Sequence, residues 1–168
     1  MGDYNQALTV DEALVRGRAL DGAGVAWIEE PIRHDDYAGC ARVAEALDTP
    51  IQIGENFDTP MAMARAIAAG ACDAVMPDFG RILGVTGWTD AARQAADAGL
   101  PLSSHLYPEF SVHLLAASPT VAWLEYVDWA SPVLQEPTVV EDGHVHVPNR
   151  PGVGLRWDPD AVARYRVD

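Results

Sequence analysis

The chain has 168 residues, 49% of them apolar and 21% charged, and its 25 acids against 11 bases give a formal charge of -14. That much apolar residue can bury one domain-sized core, while so acidic a surface repels phosphate backbones and anionic lipid, which argues against nucleic acid and membrane as partners. Neither a charged-then-apolar leader nor an apolar run near the roughly 18 residues of a membrane helix is present, and Cys40 and Cys72 lack metal-type spacing, so the sequence predicts a cytoplasmic protein with two reduced core thiols.

In chain order, Met1 and Gly2 lead into Asp3 with almost no strand before it, as though a strand had been cut off. Residues 9–23 read as a helix, with Thr9 and Glu12 spaced as a capping box and Gly22 and Gly24 ending it. The run Ala26-Trp27-Ile28-Glu29 is a strand broken by Pro31, and residues 35–47 form the next helix. Ile51-Gln52-Ile53 is a β-branched strand that stops at Gly54-Glu55-Asn56, and Thr59-Pro60 starts an Ala-rich helix that runs to Gly70. Ala74-Val75-Met76 leads to Pro77-Asp78, residues 80–87 read as a glycine-bearing loop, and residues 88–98 as a helix closed by Gly99 and Pro101. Leu102-Ser103-Ser104 ends on His105, a helix spans 108–118, and Trp123-Leu124-Glu125 is the last of these strands. From about residue 131 the pattern changes: alternation around Asp142-Gly143 predicts a hairpin, a glycine-rich tail follows, and Asp158-Pro159 starts a final helix.

Short apolar runs that each stop on a titratable residue and then meet a helix are the signature of strand-plus-helix units. Parallel strands joined this way point their C-terminal ends in one direction, so Asp3, Glu29, Glu55, Asp78, His105 and Glu125 would gather on one rim. Asp3, Glu29 and Glu55 lie at intervals of 26 residues, which predicts equivalent positions on neighbouring units. Any one of them is equally well explained as a cap of the following helix. Three in register favour a divalent cation, Mg²⁺ or Mn²⁺ rather than zinc because the donors are all oxygen. His105 one unit after Asp78 has the makings of a general-base dyad. Glu125 is either a salt-bridge residue or a proton donor to substrate. Glu30, Glu109, His34, His113, His144 and His146 have weaker claims.

The segments Asp3-Tyr4-Asn5-Gln6, Trp27-Ile28-Glu29-Glu30-Pro31, Gly54-Glu55-Asn56, Met76-Pro77-Asp78, Ser103-Ser104-His105-Leu106 and Trp123-Leu124-Glu125, in this order and spacing, resemble the mandelate racemase subgroup of the enolase superfamily. The resemblance implies an α/β fold, a partial TIM-type (β/α) barrel that lacks the N-terminal capping domain and first barrel strands of that family, over residues 1–168, with the hairpin and tail from about 131. It implies Mg²⁺ on Asp3, Glu29 and Glu55, a base dyad of Asp78 and His105, and substrate contacts from Glu125 and Asn5. The chemistry implied is removal of the proton α to a carboxylate through an enediolate, in a racemase or a sugar-acid dehydratase acting on a small α-hydroxy acid or sugar acid. The alternative is a catalytically inactive remnant that keeps only inherited site residues.

Two departures stand out. The family's Lys-x-Lys segment is missing and the chain contains no Lys, so the second base that racemisation needs is not in this sequence; Leu83-Gly84 stands where relatives carry a glycine pair. A partial barrel leaves two strand edges uncovered, which predicts a homo-oligomer or a complementing N-terminal segment, and a frayed stub at Asp3 with weak Mg²⁺ binding.

Overall fold

The computed structural model describes residues 1–167. Six short strands, β1 (Gly2–Asp3), β2 (Ile28–Glu29), β3 (Ile51–Ile53), β4 (Ala74–Val75), β5 (Leu102–Ser104) and β6 (Val121–Leu124), form one sheet in sequential order. Every neighbouring pair in it is parallel. Helices α1 (Val10–Leu20), α2 (Tyr37–Ala46), α3 (Pro60–Ala68), α4 (Gly84–Ala98) and α5 (Pro108–Ala116) make the crossovers. This is a partial TIM-type barrel, as the repeated strand-and-stop pattern predicts.

The helix starts follow local chemistry. Thr9 caps α1 in a complete capping box with Glu12, Asp36 caps α2, and Thr59 caps α3 with Pro60 at the first helical position. The core lies between sheet and helices: Ile28, Ile51, Ile53, Val75 and Leu102 pack against Val43, Met63, Ala66, Trp88 and Ala95. Cys40 and Cys72 are free and buried, and burial pushes both thiols up to about 12, which keeps them unreactive.

Two expectations are corrected. The segment at Asp3 is no loose stub: Gly2 N–H donates to the Trp27 carbonyl and Tyr4 N–H to that of Glu29, both at 3.1 Å, so β1 is held in register with β2. The region after Asp78 is helical from Gly84 rather than a loop to Gly87. It enters α4 through Leu83 in the left-handed region at φ +73°, with 62% of the residue exposed. Gly87 is required one turn later, because a Cβ there would stand 1.6 Å from the Ile82 carbonyl oxygen.

Beyond β6 come a 3₁₀ turn (Ser131–Val133), the antiparallel hairpin β7 (Val140–Glu141) and β8 (His144–Val145), and helix α6 (Pro159–Tyr165) capped by Asp158. His113 Nε2 on α5 donates to the Val153 carbonyl at 3.1 Å and ties the tail to the barrel. Among the described residues no helix is long and apolar enough to cross a membrane.

Candidate active site

The predicted rim residues sit in two tiers, and strand register explains why. Asp3 pairs with Glu29 across β1 and β2, but the partner of Glu29 on β3 is Gln52, three residues before Glu55. Equal sequence spacing therefore does not make Glu55 the register equivalent of Glu29, because the crossovers differ in length. Beyond β4 and β5, Asp78 and His105 form a parallel bridge. Glu125 follows β6, its N–H donating to the Ser104 carbonyl at 3.3 Å.

In the upper tier, His105 Nδ1 lies 2.7 Å from Asp78 Oδ2, both side chains being largely buried. The other oxygen of Asp78 accepts the N–H groups of Gly80 and Arg81 at 2.7 and 3.0 Å. Burial would raise the pKa of Asp78, but the hydrogen bond from His105, the two N–H donors and the His105 charge outweigh it and hold the carboxyl below its usual range. An ionised carboxylate only accepts, so Nδ1 carries the proton and Nε2 of the neutral ring presents its lone pair. That Nε2 is 3.5 Å from Glu55 Oε2. Burial opposes charge on His105, yet the Asp78 hydrogen bond and the charges of Glu55, Glu125 and Asp78 prevail, and its pKa is raised. Glu125 is itself fixed, Oε2 accepting the Leu106 N–H at 2.7 Å.

In the lower tier, Glu29 is 3% exposed and its Oε2 accepts from Trp27 Nε1 at 3.0 Å and from Gln52 Nε2 at 3.4 Å. Burial raises its pKa; the Trp27 and Gln52 hydrogen bonds oppose this, and the charges of Asp3 and Glu125 add to it. Glu125 thus reaches both tiers. Trp27 also stacks on Trp123 with ring centroids 6.2 Å apart, bringing the first and last thirds of the sheet together at the rim.

The three predicted metal ligands are not gathered into one cluster. Asp3 is exposed and its Oδ1 takes the N–H of Asn5 at 2.7 Å, while Glu55 turns toward His105 and toward Arg81, whose Nη1 is 3.8 Å from Oε1. Among the described residues no group of three His, Cys, Asp or Glu side chains stands close enough to hold a metal ion. The donor chemistry fits a hard divalent cation all the same: carboxylates alone, at neighbouring strand ends, one of them (Glu29) buried and without a cationic partner among the described residues. Asn5 lies beside Asp3 with φ +44°, on the turn that follows β1.

Sequence reasoning passed over several residues that shape the rim. Glu30, given a weaker claim from sequence, is 1% exposed with φ +37°, and Asn56 Nδ2 stands 3.0 Å from each of its carboxylate oxygens. Asn56 Oδ1 in turn accepts from Arg81 Nη1 at 2.5 Å, and the same nitrogen donates to the Glu55 carbonyl at 3.1 Å. Gln52 was legible in principle, as a lone amide between Ile51 and Ile53 in an otherwise apolar strand. Nothing in the sequence marks Arg81.

The profile of the enolase C-terminal domain-like family matches residues 1–161. An L-talarate/galactarate dehydratase of Salmonella typhimurium is 35% identical over 161 residues, which are 96% of this chain and 40% of that enzyme. A 3,6-anhydro-alpha-L-galactonate cycloisomerase of Streptomyces coelicolor is 34% identical, matching 99% of this chain and 46% of its own length. A Bradyrhizobium enolase crystallised with magnesium and mandelic acid superposes with a TM-score of 0.95 at 45% identity, covering 99% of this chain and 46% of the other. The chain therefore spans less than half the length of the proteins it resembles.

Proposed function

The chain belongs to the enolase C-terminal domain-like family, and from that premise we propose that it carries the Mg²⁺ ligands and the general base of an enzyme that removes the proton α to the carboxylate of a sugar acid or related α-hydroxy acid. The observation that carries this reading is the His105–Asp78 contact at 2.7 Å, with the second imidazole nitrogen turned to the rim. Relatives support the substrate class: one acts on talarate and galactarate, and one was crystallised with mandelic acid.

Asp3, Glu29 and Glu55 would hold the ion, Glu55 turning away from His105 to do so. Bound there, Mg²⁺ supplies positive charge against the negative charge that develops on the substrate carboxylate. His105 Nε2 takes the α-proton, and the C–H electron pair passes into the carboxylate to give an enediolate. Asp78 fixes the ring in the Nδ1–H tautomer and offsets the charge of the imidazolium. Glu125, its other oxygen held by the Leu106 amide, would hydrogen-bond the substrate carboxylate; Asn5, on the turn that follows β1, would be a second substrate contact. In a dehydration the same His105 returns its proton to the departing β-hydroxyl, which leaves as water.

The test is solvent deuterium incorporation at the α-carbon of galactarate and mandelate, followed by proton NMR with Mg²⁺ present. Exchange should occur with the wild-type chain and vanish in His105→Asn. Exchange that survives the substitution removes His105 from the chemistry, and none in the wild type would favour the inactive remnant.

A further inference from the structure

Beneath the rim lies a polar layer that the acid/base reading does not use. Gln52 is 2% exposed and Ser103 1% exposed, each the middle residue of its three-residue strand. The Ser103 hydroxyl donates to Gln52 Oε1 at 3.1 Å, and Gln52 Nε2 faces Glu29 Oε2 at 3.4 Å and the Met76 sulfur at 3.2 Å. Side chains from the second, third, fourth and fifth units of the barrel therefore meet around one amide. Its orientation is determined: a carboxylate only accepts and a hydroxyl can donate, so the NH₂ end must face Glu29 and the carbonyl end Ser103. A buried amide of this kind is costly unless both ends are satisfied, which makes it a poor choice for packing alone.

We propose that Gln52, set by Ser103, is a positioning residue for Glu29: together with Trp27 it occupies Oε2 and so leaves Oε1 as the oxygen presented to the cation. This rests on the reading of Glu29 as a metal ligand. Outer partners that hydrogen-bond a ligating carboxylate fix its direction, and their loss typically weakens metal binding by about 10–100-fold. The shape of the layer predicts which replacements fail. Glu at position 52 puts a second carboxylate against Glu29; Met fills similar space with no donor.

The experiment uses the chain with two independent readouts. Calorimetric titration with MgCl₂ measures affinity, and the ¹⁵N-labelled indole N–H of Trp27, bonded to the same Glu29 oxygen at 3.0 Å, reports the carboxylate position without any metal. Gln52→Met should weaken Mg²⁺ binding on the order of tenfold and shift the Trp27 indole resonance. Ser103→Ala, which leaves the Gln52 carbonyl oxygen without its donor, should act in the same direction and more weakly. A folded Gln52→Met chain with both signals unchanged overturns the proposal. If that variant does not fold, Ser103→Ala decides alone, an unchanged indole counting against it. A wild-type chain that binds no Mg²⁺ defeats the metal reading, and the indole shift still settles whether Gln52 positions Glu29.

Discussion

Asp78→Asn separates charge from geometry at the base. Asp78 Oδ1 accepts two backbone N–H groups and Oδ2 faces His105. An asparagine can place its carbonyl on either side. Turning its NH₂ toward the Gly80 and Arg81 amides would leave two donors facing donors, at a cost of about 1 kcal/mol each, so the opposite orientation wins by roughly thirtyfold. The NH₂ then points at His105 Nδ1, which must accept. The ring is forced into the Nε2–H tautomer, and the nitrogen aimed at substrate no longer has a lone pair. A comparable swap in a serine-protease triad costs roughly 10⁴-fold in turnover, and we expect a loss of that order here. Deuterium exchange at the substrate α-carbon reads the rate, and ¹⁵N NMR of the His105 ring reads the tautomer without substrate. Retention of the Nδ1–H tautomer in Asp78→Asn, or exchange within about tenfold of wild type, would refute this reasoning.

The raised pKa of His105, where burial is outweighed by the Asp78 hydrogen bond and by Glu55 and Glu125, makes its charged form stabilising. That contribution is complete below the unfolded value of 6.5 and is lost as pH rises through the higher folded value. The urea midpoint of the wild type, measured relative to His105→Gln, should therefore fall as the pH rises from 6.5 through the higher folded value; an unchanged difference would contradict the pairing. Leu83→Gly removes a left-handed leucine that costs about 1–2 kcal/mol and buries little, so after the added freedom of the unfolded glycine it should raise stability by up to about 1 kcal/mol in urea titration. Gly87→Ala drives a Cβ into the Ile82 carbonyl and should lower stability by more than about 1 kcal/mol, visible as a reduced Tm.

Where the sequence was clear, a local signal and a long-range one agreed. Thr9 with Glu12, Thr59 with Pro60 and Asp158 with Pro159 mark helix starts by side-chain chemistry alone, and all three cap as expected. The juxtaposition of Asp78 and His105 followed from topology, since consecutive parallel strands put their ends side by side. Register was not legible, because it depends on crossover length and on bends such as Gly54, where φ is +149° and a Cβ would meet the Met76 backbone at 2.7 Å. Hence the 26-residue spacing placed Glu55 level with Glu29, whereas Gln52 occupies that position. Glu30 was undervalued for a related reason. A carboxylate beside a proline looks solvated until Asn56 is brought from the next unit to satisfy it.

The stacked pair Trp27–Trp123 has a kinetic consequence. Each strand-helix unit packs mainly on its immediate neighbours in the chain, so the units can assemble by short loop closures in sequence, much as repeats do. The two indoles, in contrast, come from units near opposite ends of the sheet, and they meet only once the whole curve between them exists. In refolding experiments, far-ultraviolet helical signal should therefore recover before the near-ultraviolet signature of this aromatic pair. That lag is a clock for the moment the sheet acquires its curvature, and with it the moment Glu29 and Glu125 first feel one another's charge.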